Sequence, residues 1–429
     1  MFKLLVTLIF LASIQSTYGS EPNAMSSTSS TFEQATDLKV RAQAIHKSAL
    51  TLDAHADIEI PGKPSSYVGS DGLSKVAPSK MRAGGLDAVV MALAVGPMPR
   101  NSIGYEAAKE LAQVKLKAVN ALTENNKNTV IVLNTKELIA SHEKGKSALI
   151  LGFQNALILG TDVSGIDGLY NSGVRVFALT HMGHNNFADS SRSLFDSKTG
   201  RREPKSEHGG LSSLGKAAVA KINAIGGIMD ISQLSKQAVL QTIELSNTPV
   251  IASHSNVRAL TDVSRNLSDE EIDRIGETGG VIHVAPFRGY LFNSSDPEMD
   301  KNIRAIRRES GIDEDYLYPF ELYWEIENAE IKKNFLTKIS TLLGPISLNE
   351  MINHIDYISN RIGVDHVGIG TDFNHGSGIE GFDDASDALN VTIELLRRGY
   401  SEEDIIKIWG GNFIRVWRAA EKVAEPKTL

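Results

Sequence analysis

Eight short runs of apolar residues punctuate the chain: TLDAHADIEI (51–60), LDAVVMALAVG (86–96), SALILGFQNA (147–156), VRVFALTH (174–181), GIMDIS (227–232), PVIASHS (249–255), GVIHVAPF (280–287) and HVGIGTDF (366–373). Each is nearly continuous in apolar side chains, the pattern of parallel strands covered on both faces. Between them lie amphipathic stretches such as AAKELAQVKLKAVNALTE (107–124), LGKAAVAKINAIG (214–226) and SKQAVLQTIELS (235–246). This alternation predicts an α/β fold, a TIM-type (β/α)8 barrel forming a single domain over 41–429, with an open doubly wound sheet as the competing arrangement. The longest interruption, residues 288–348, follows the seventh run and contains charged helical pieces and YLYPFELYW (316–324). It is expected to cover the barrel mouth or to form an oligomer contact.

In such a barrel the C-terminal strand ends line one mouth. Read in order, those ends carry His55 and Asp57, Gln154, His181, Gln233, His254 and Asp372. Residues i and i+2 of an extended strand share a face, so His55 and Asp57 converge on one point, and an imidazole nitrogen beside a carboxylate oxygen suits a divalent cation such as zinc. Taken alone, the His-Ala-Asp tripeptide reads as an ordinary polar strand end. The repetition of coordinating or proton-transferring groups at so many ends of one polarity turns it into a site.

Composition narrows the chemistry. The 429 residues contain no cysteine, which removes disulfides and thiolate metal sites and leaves His, carboxylate and amide groups as ligands. A net charge of −8 without a basic patch argues against nucleic acid as a partner. At the N-terminus, Lys3, the apolar stretch Leu4–Ile14 and Thr17-Tyr18-Gly19 compose a cleavable signal peptide over residues 1–20. Residues 21–40, rich in Ser and Thr, read as a disordered lead-in. No later stretch is apolar enough to span a bilayer, so a periplasmic or secreted chain without an integral membrane segment is expected.

The motifs DAHAD (53–57), GFQNA (152–156), ALTHMGHNNFADS (178–190), GGLSSLGKAAVAKIN (209–223), DISQLS (230–235), PVIASHSNVRALTDVSRNLSD (249–269), GIGTDF (368–373) and ELLRRGYSEEDIIKIWGGNFIRVW (394–417) follow one another along the chain. In this order they resemble the membrane (renal) dipeptidase family of amidohydrolase-like metallohydrolases. The resemblance implies a TIM barrel with a two-zinc site, hydrolysis of small dipeptides, and a homodimer. It also implies roles. His55 and Asp57 hold one metal, His254 belongs to the second, and Asp372 orients and deprotonates the bridging water. His181 stabilises the oxyanion beside the scissile carbonyl, and Arg265 pairs with the substrate's terminal carboxylate, a task suited to a guanidinium fork.

Two positions depart from that pattern. Gln154 stands where the family places a metal-bridging Glu, and Gln233 where it places a His. An amide offers one neutral oxygen, so both changes weaken the ligand set. One tightly held zinc is therefore expected, with the second position weak or empty. The leading reading is an exported metal-dependent dipeptidase-like hydrolase. The alternative is a metal-depleted barrel that binds or helps mature a periplasmic peptide product, for example a siderophore precursor. His184, His208 and His283 have no assigned role; His375 reads as an exposed loop residue or as a replacement ligand.

Overall fold

The computed structural model describes residues 25–196, 199–312 and 326–424. The expected signal peptide and YLYPFELYW lie outside the described residues. Eight parallel strands, β1 (Leu52–Asp57), β2 (Ala88–Ala94), β3 (Ser147–Gln154), β4 (Val174–Ala178), β5 (Ile228–Asp230), β6 (Ile251–Ala252), β7 (Val281–Val284) and β8 (Val367–Ile369), are hydrogen-bonded in sequence order. The ends meet: Ala56 bridges Phe373, Asp57 N donates to Phe373 O at 2.9 Å, and Asp372 N donates to His55 O at 2.8 Å. This closure rules out the open doubly wound sheet and gives the TIM-type barrel. Each strand lies inside one of the eight apolar runs, and every strand residue is buried.

Helices follow the expected stretches, and local chemistry sets where they start. The side chains of Asn101, Ser212 and Ser235 accept backbone N–H bonds at the N-termini of Ser102–Glu124, Ser213–Ala224 and Lys236–Leu245. One correction concerns the lead-in: a helix spans Met25–Ser48, so the stretch read as disordered over 21–40 is helical from Met25 onward. A further strand, Thr129–Ile131, pairs with the first half of β3, ahead of the point where β4 takes over that edge. Three residues are too few to produce a periodic signal. In the interruption, helices Pro297–Glu309 and Ala329–Leu343 bury Ile303, Phe335 and Ile339, and Arg288 ties its segment to Ser340 and Gly344. Among the described residues, no helix is long and apolar enough to cross a membrane.

The core has a floor and a mouth. Phe413, Val416, Trp417 and Ala420 of the helix Asn412–Val423 pack on strand-start residues Leu52, Ala88, Ala148, Ile228, Ile251 and Val281, stoppering the N-terminal end. Leu52 pairs with Ala88, yet Asp57 pairs with Ala92, so the register slips by one residue between Asp53 and Ala56. Because side chains alternate across a strand, that slip lets Leu52 and Asp57, of opposite parity, both face the barrel interior. One strand thus serves both the apolar floor and the polar mouth.

Candidate metal centre

The mouth residues sit at or just beyond their strands: Gln154 ends β3, His181 follows β4, Gln233 follows β5, His254 follows β6 and Asp372 follows β8. Ligand atoms of His55, His254 and Asp372 all lie within 4.8 Å of one another, and all three residues are buried. Asp57 joins them, its Oδ1 3.8 Å from Nε2 of His55, while Oδ1 of Asp372 is 4.0 Å from the same nitrogen. His55 Nε2 and Asp57 Oδ1 are buried without a hydrogen-bond partner among the described residues. Two unsatisfied acceptors aimed at one point are costly in an apolar interior unless a cation takes their lone pairs. This position fits a divalent metal.

The proton positions follow from one hydroxyl. Ser253 Oγ donates to Asp230 Oδ2 at 2.5 Å, because a carboxylate only accepts. Its lone pairs then accept from Nδ1 of His254 at 2.8 Å and, more weakly, from Nδ1 of His55 at 3.4 Å. Both imidazoles are thereby held with Nε2 bare, and their rings stack at 3.8 Å between centroids. Such outer hydrogen bonds orient ligands and fix their tautomers.

The electrostatics divide the groups. Burial pushes the His55, His254 and His181 imidazoles below their usual range, the latter two strongly, with His55 adding to the effect on His254 and His375 to that on His181. Burial raises the Asp372 carboxyl, with His375 and His55 pulling it back. Burial acts in the same sense on Asp57, but Lys115 and His375 outweigh it and hold that carboxyl well below the ordinary range. Asp53, beneath the site, is pushed up to about 7 by burial against its bonds from Thr371.

A family model described as membrane dipeptidase (Peptidase family M19) matches residues 39–429. The chain belongs to the membrane dipeptidase family. Among solved structures, it superposes on the probable dipeptidase PvdM of Pseudomonas aeruginosa with a TM-score of 0.78 and 32% identity, covering 91% of this chain and 100% of that one. Dipeptidase aclJ of Aspergillus oryzae is 30% identical over 284 residues, 66% of this chain and 54% of the relative. Human Dipeptidase 3 is 25% identical over 398 residues, 91% of this chain and 69% of the relative. The chain spans about half the length of aclJ and of Dipeptidase tcpJ of Claviceps purpurea.

In this member of the membrane dipeptidase family, the positions for which the resemblance implied a second metal carry amides, Gln154 and Gln233. Gln233 Nε2 lies 3.2 Å from Nε2 of His254, and Gln233 Oε1 accepts from Arg192 Nη2 at 2.5 Å. Gln154 is buried, and its amide nitrogen has no hydrogen-bond partner among the described residues. Two amides and an already engaged imidazole do not fit a second dication. Arg265, also buried, donates Nη1 to Ser255 Oγ at 2.9 Å and Nη2 to His254 O, and lies over the Tyr290 ring. Its Nε is buried without a partner among the described residues.

Sequence reasoning missed four contributors. His375 is not an exposed loop histidine: its side chain is 11% exposed, and its Nδ1 bonds Asp57 Oδ2 at 3.0 Å. Burial works against the charged imidazole of His375, but Asp57 outweighs it and raises its pKa. Lys115, from the helix Ser102–Glu124, places Nζ 4.0 Å from Asp57 Oδ2. Arg192 and Ser253 complete the group. The only sequence signal for His375 and Ser253 is closeness to Asp372 and His254, and Lys115 and Arg192 have none. Among the described residues, four non-glycine positions carry positive φ, Asn155, Gln233, Asp372 and Asn374, and all stand at strand ends around this mouth. Strained backbone of this kind collects where a site dictates side-chain direction.

Proposed function

We propose that the protein is a metal-dependent peptide hydrolase acting on small dipeptides, with one zinc ion held by His55 and Asp57 beside Asp372. The observation that carries this reading is the facing pair of unsatisfied buried acceptors, His55 Nε2 and Asp57 Oδ1, in a barrel of the membrane dipeptidase family. When bound, the cation supplies Lewis acidity and makes a water a nucleophile near neutral pH.

The chain's own groups supply the rest. Asp372, whose basicity burial increases, accepts the proton of the attacking water and returns it to the leaving amine. His181, kept neutral by burial, offers an N–H to the carbonyl oxygen as negative charge develops there, a contribution of about 3 kcal/mol for a well-placed donor. Arg265, with Nη1 and Nη2 already anchored, leaves its Nε–H for the substrate's terminal carboxylate. Export through residues 1–20 would bring this activity to peptides outside the cytoplasm.

A second reading is favoured by one contact. The Gln233–His254 hydrogen bond removes a metal ligand, as expected of a metal-depleted barrel that binds or helps mature a peptide product without turnover. The deciding experiment incubates the purified protein with a dipeptide panel, including C-terminal D-residues, with and without chelator. Hydrolysis that stops on chelation and returns with zinc supports the hydrolase. Peptide binding that survives chelation, with no cleavage, overturns it in favour of the second reading.

A further inference from the structure

His254 presents a bare Nε2 because its Nδ1 proton is committed to Ser253. That lone pair is where a neighbouring metal would bind, and the structure gives it another partner. A guanidinium has only donors, so Arg192 Nη2, 2.5 Å from Gln233 Oε1, fixes which end of the amide is oxygen. The NH2 end is thereby turned on His254 Nε2, 3.2 Å away, where it donates.

The backbone braces this arrangement. Ser191 N donates to Gln233 O at 2.8 Å, Ser190 Oγ reaches the same oxygen at 3.3 Å, and Ser190 bridges Leu234. Gln233 itself is held at φ 68°, a conformation unfavourable for a residue with a side chain. Arg192 is 2% exposed, and its charge is felt at both His181 and His375. Held against Gln233 Oε1, whose amide nitrogen meets His254, this buried guanidinium also raises the energy of a dication brought to His254, because Coulomb repulsion is weakly screened in a buried site.

We propose that Arg192 and Gln233 form a lock that withholds His254 from metal binding and makes the centre mononuclear by construction. Arg192 is a positioning residue in this scheme: it acts through Gln233 and repels a second cation. The inference rests on the proposed metal site at His55 and Asp57. It goes further by stating what enforces the count, and by predicting that restoring an imidazole at position 233 is insufficient while the guanidinium remains.

The test is a titration of the metal-free full chain with Co2+ alone, read by bound equivalents and by visible absorption bands, which report ligand number and type directly. Wild type and Gln233→His are each expected to bind about one equivalent, and Arg192→Met/Gln233→His about two, with new bands for the second ion. Arg192→Lys/Gln233→His keeps the charge and is expected to stay at about one. Thermal melting of each variant confirms that it is folded. Two equivalents in wild type or in Gln233→His overturn the lock, as does a folded Met/His double variant that stays at one. Failure of the underlying reading looks different: wild type and all variants then bind no cobalt.

Discussion

Nε2 of His55 and Oδ1 of Asp57 face each other across 3.8 Å at the mouth of the barrel, both buried and both without a hydrogen-bond partner among the described residues. The other oxygen of Asp57 is held by His375 at 3.0 Å, and Nδ1 of His55 lies 3.4 Å from Ser253 Oγ. Each group is therefore fixed on its far side and bare on its near side. That asymmetry separates a binding site from a poorly packed polar pair.

His375 should matter to metal affinity although it sits outside the facing pair. His375→Ala frees Asp57 to rotate and removes a donor that keeps its carboxylate oriented. Zinc affinity is expected to fall about 10- to 100-fold, as for other groups that support metal ligands. Competition with a chromophoric chelator measures this, and an unchanged affinity would remove His375 from the site.

Asp372 lies at φ 57°, which asparagine tolerates well, so Asp372→Asn preserves the backbone while removing the basic oxygen. Its kcat is expected to fall at least about 100-fold, with the melting temperature unchanged. Activity within a few-fold of wild type would assign the proton transfer elsewhere.

Arg265→Lys keeps a charge but loses the Nε–H offered to the substrate carboxylate. The expected result is a rise in KM for dipeptides with a free C-terminal carboxylate, giving a loss of about 10- to 100-fold in kcat/KM, the scale of one charge-assisted hydrogen bond. C-terminally amidated dipeptides should barely distinguish the variant from wild type. An equal loss on both substrate classes would show that Arg265 acts through His254 O and Ser255 rather than through the substrate.

Acid stability tests the packing of the helix Leu348–Ile362 against the segment that follows β6. His354, fully buried on the helix Leu348–Ile362, accepts from Val257 N at 3.0 Å, and burial pushes its pKa from 6.5 down to about 3. The unfolded chain binds this proton more readily. The contribution is therefore intact above 6.5 and is lost as pH falls toward about 3. His354→Gln can still accept from Val257 without titrating. Between pH 6 and pH 4, wild type should lose about 2 to 3 kcal/mol relative to the variant in chemical denaturation. Parallel pH profiles would contradict the assignment.

The barrel was legible because strands buried on both faces leave uninterrupted apolar runs, and all eight strands fall inside them. The mouth was legible wherever a reactive residue ends such a run, as His55, Asp57, His254 and Asp372 do. What escaped depends on the path of the chain in space. The register slip in β1 leaves no mark in an apolar run, yet it lets both Leu52 and Asp57 face the interior. Lys115 reaches Asp57 from a helix 58 positions on, and Arg192 reaches Gln233 across 41. Neither pairing has a local pattern. Gln154 and Gln233 were readable as losses, but only the geometry reveals that Gln233 has gained a partner on each side.

The proposed single metal ion at His55 and Asp57 is checked by the metal content of the purified protein after zinc supplementation. Elemental analysis should find about one equivalent of zinc in wild type and a near-complete loss in His55→Ala. Less than about 0.2 equivalents in wild type, or a full equivalent retained by His55→Ala, would contradict it.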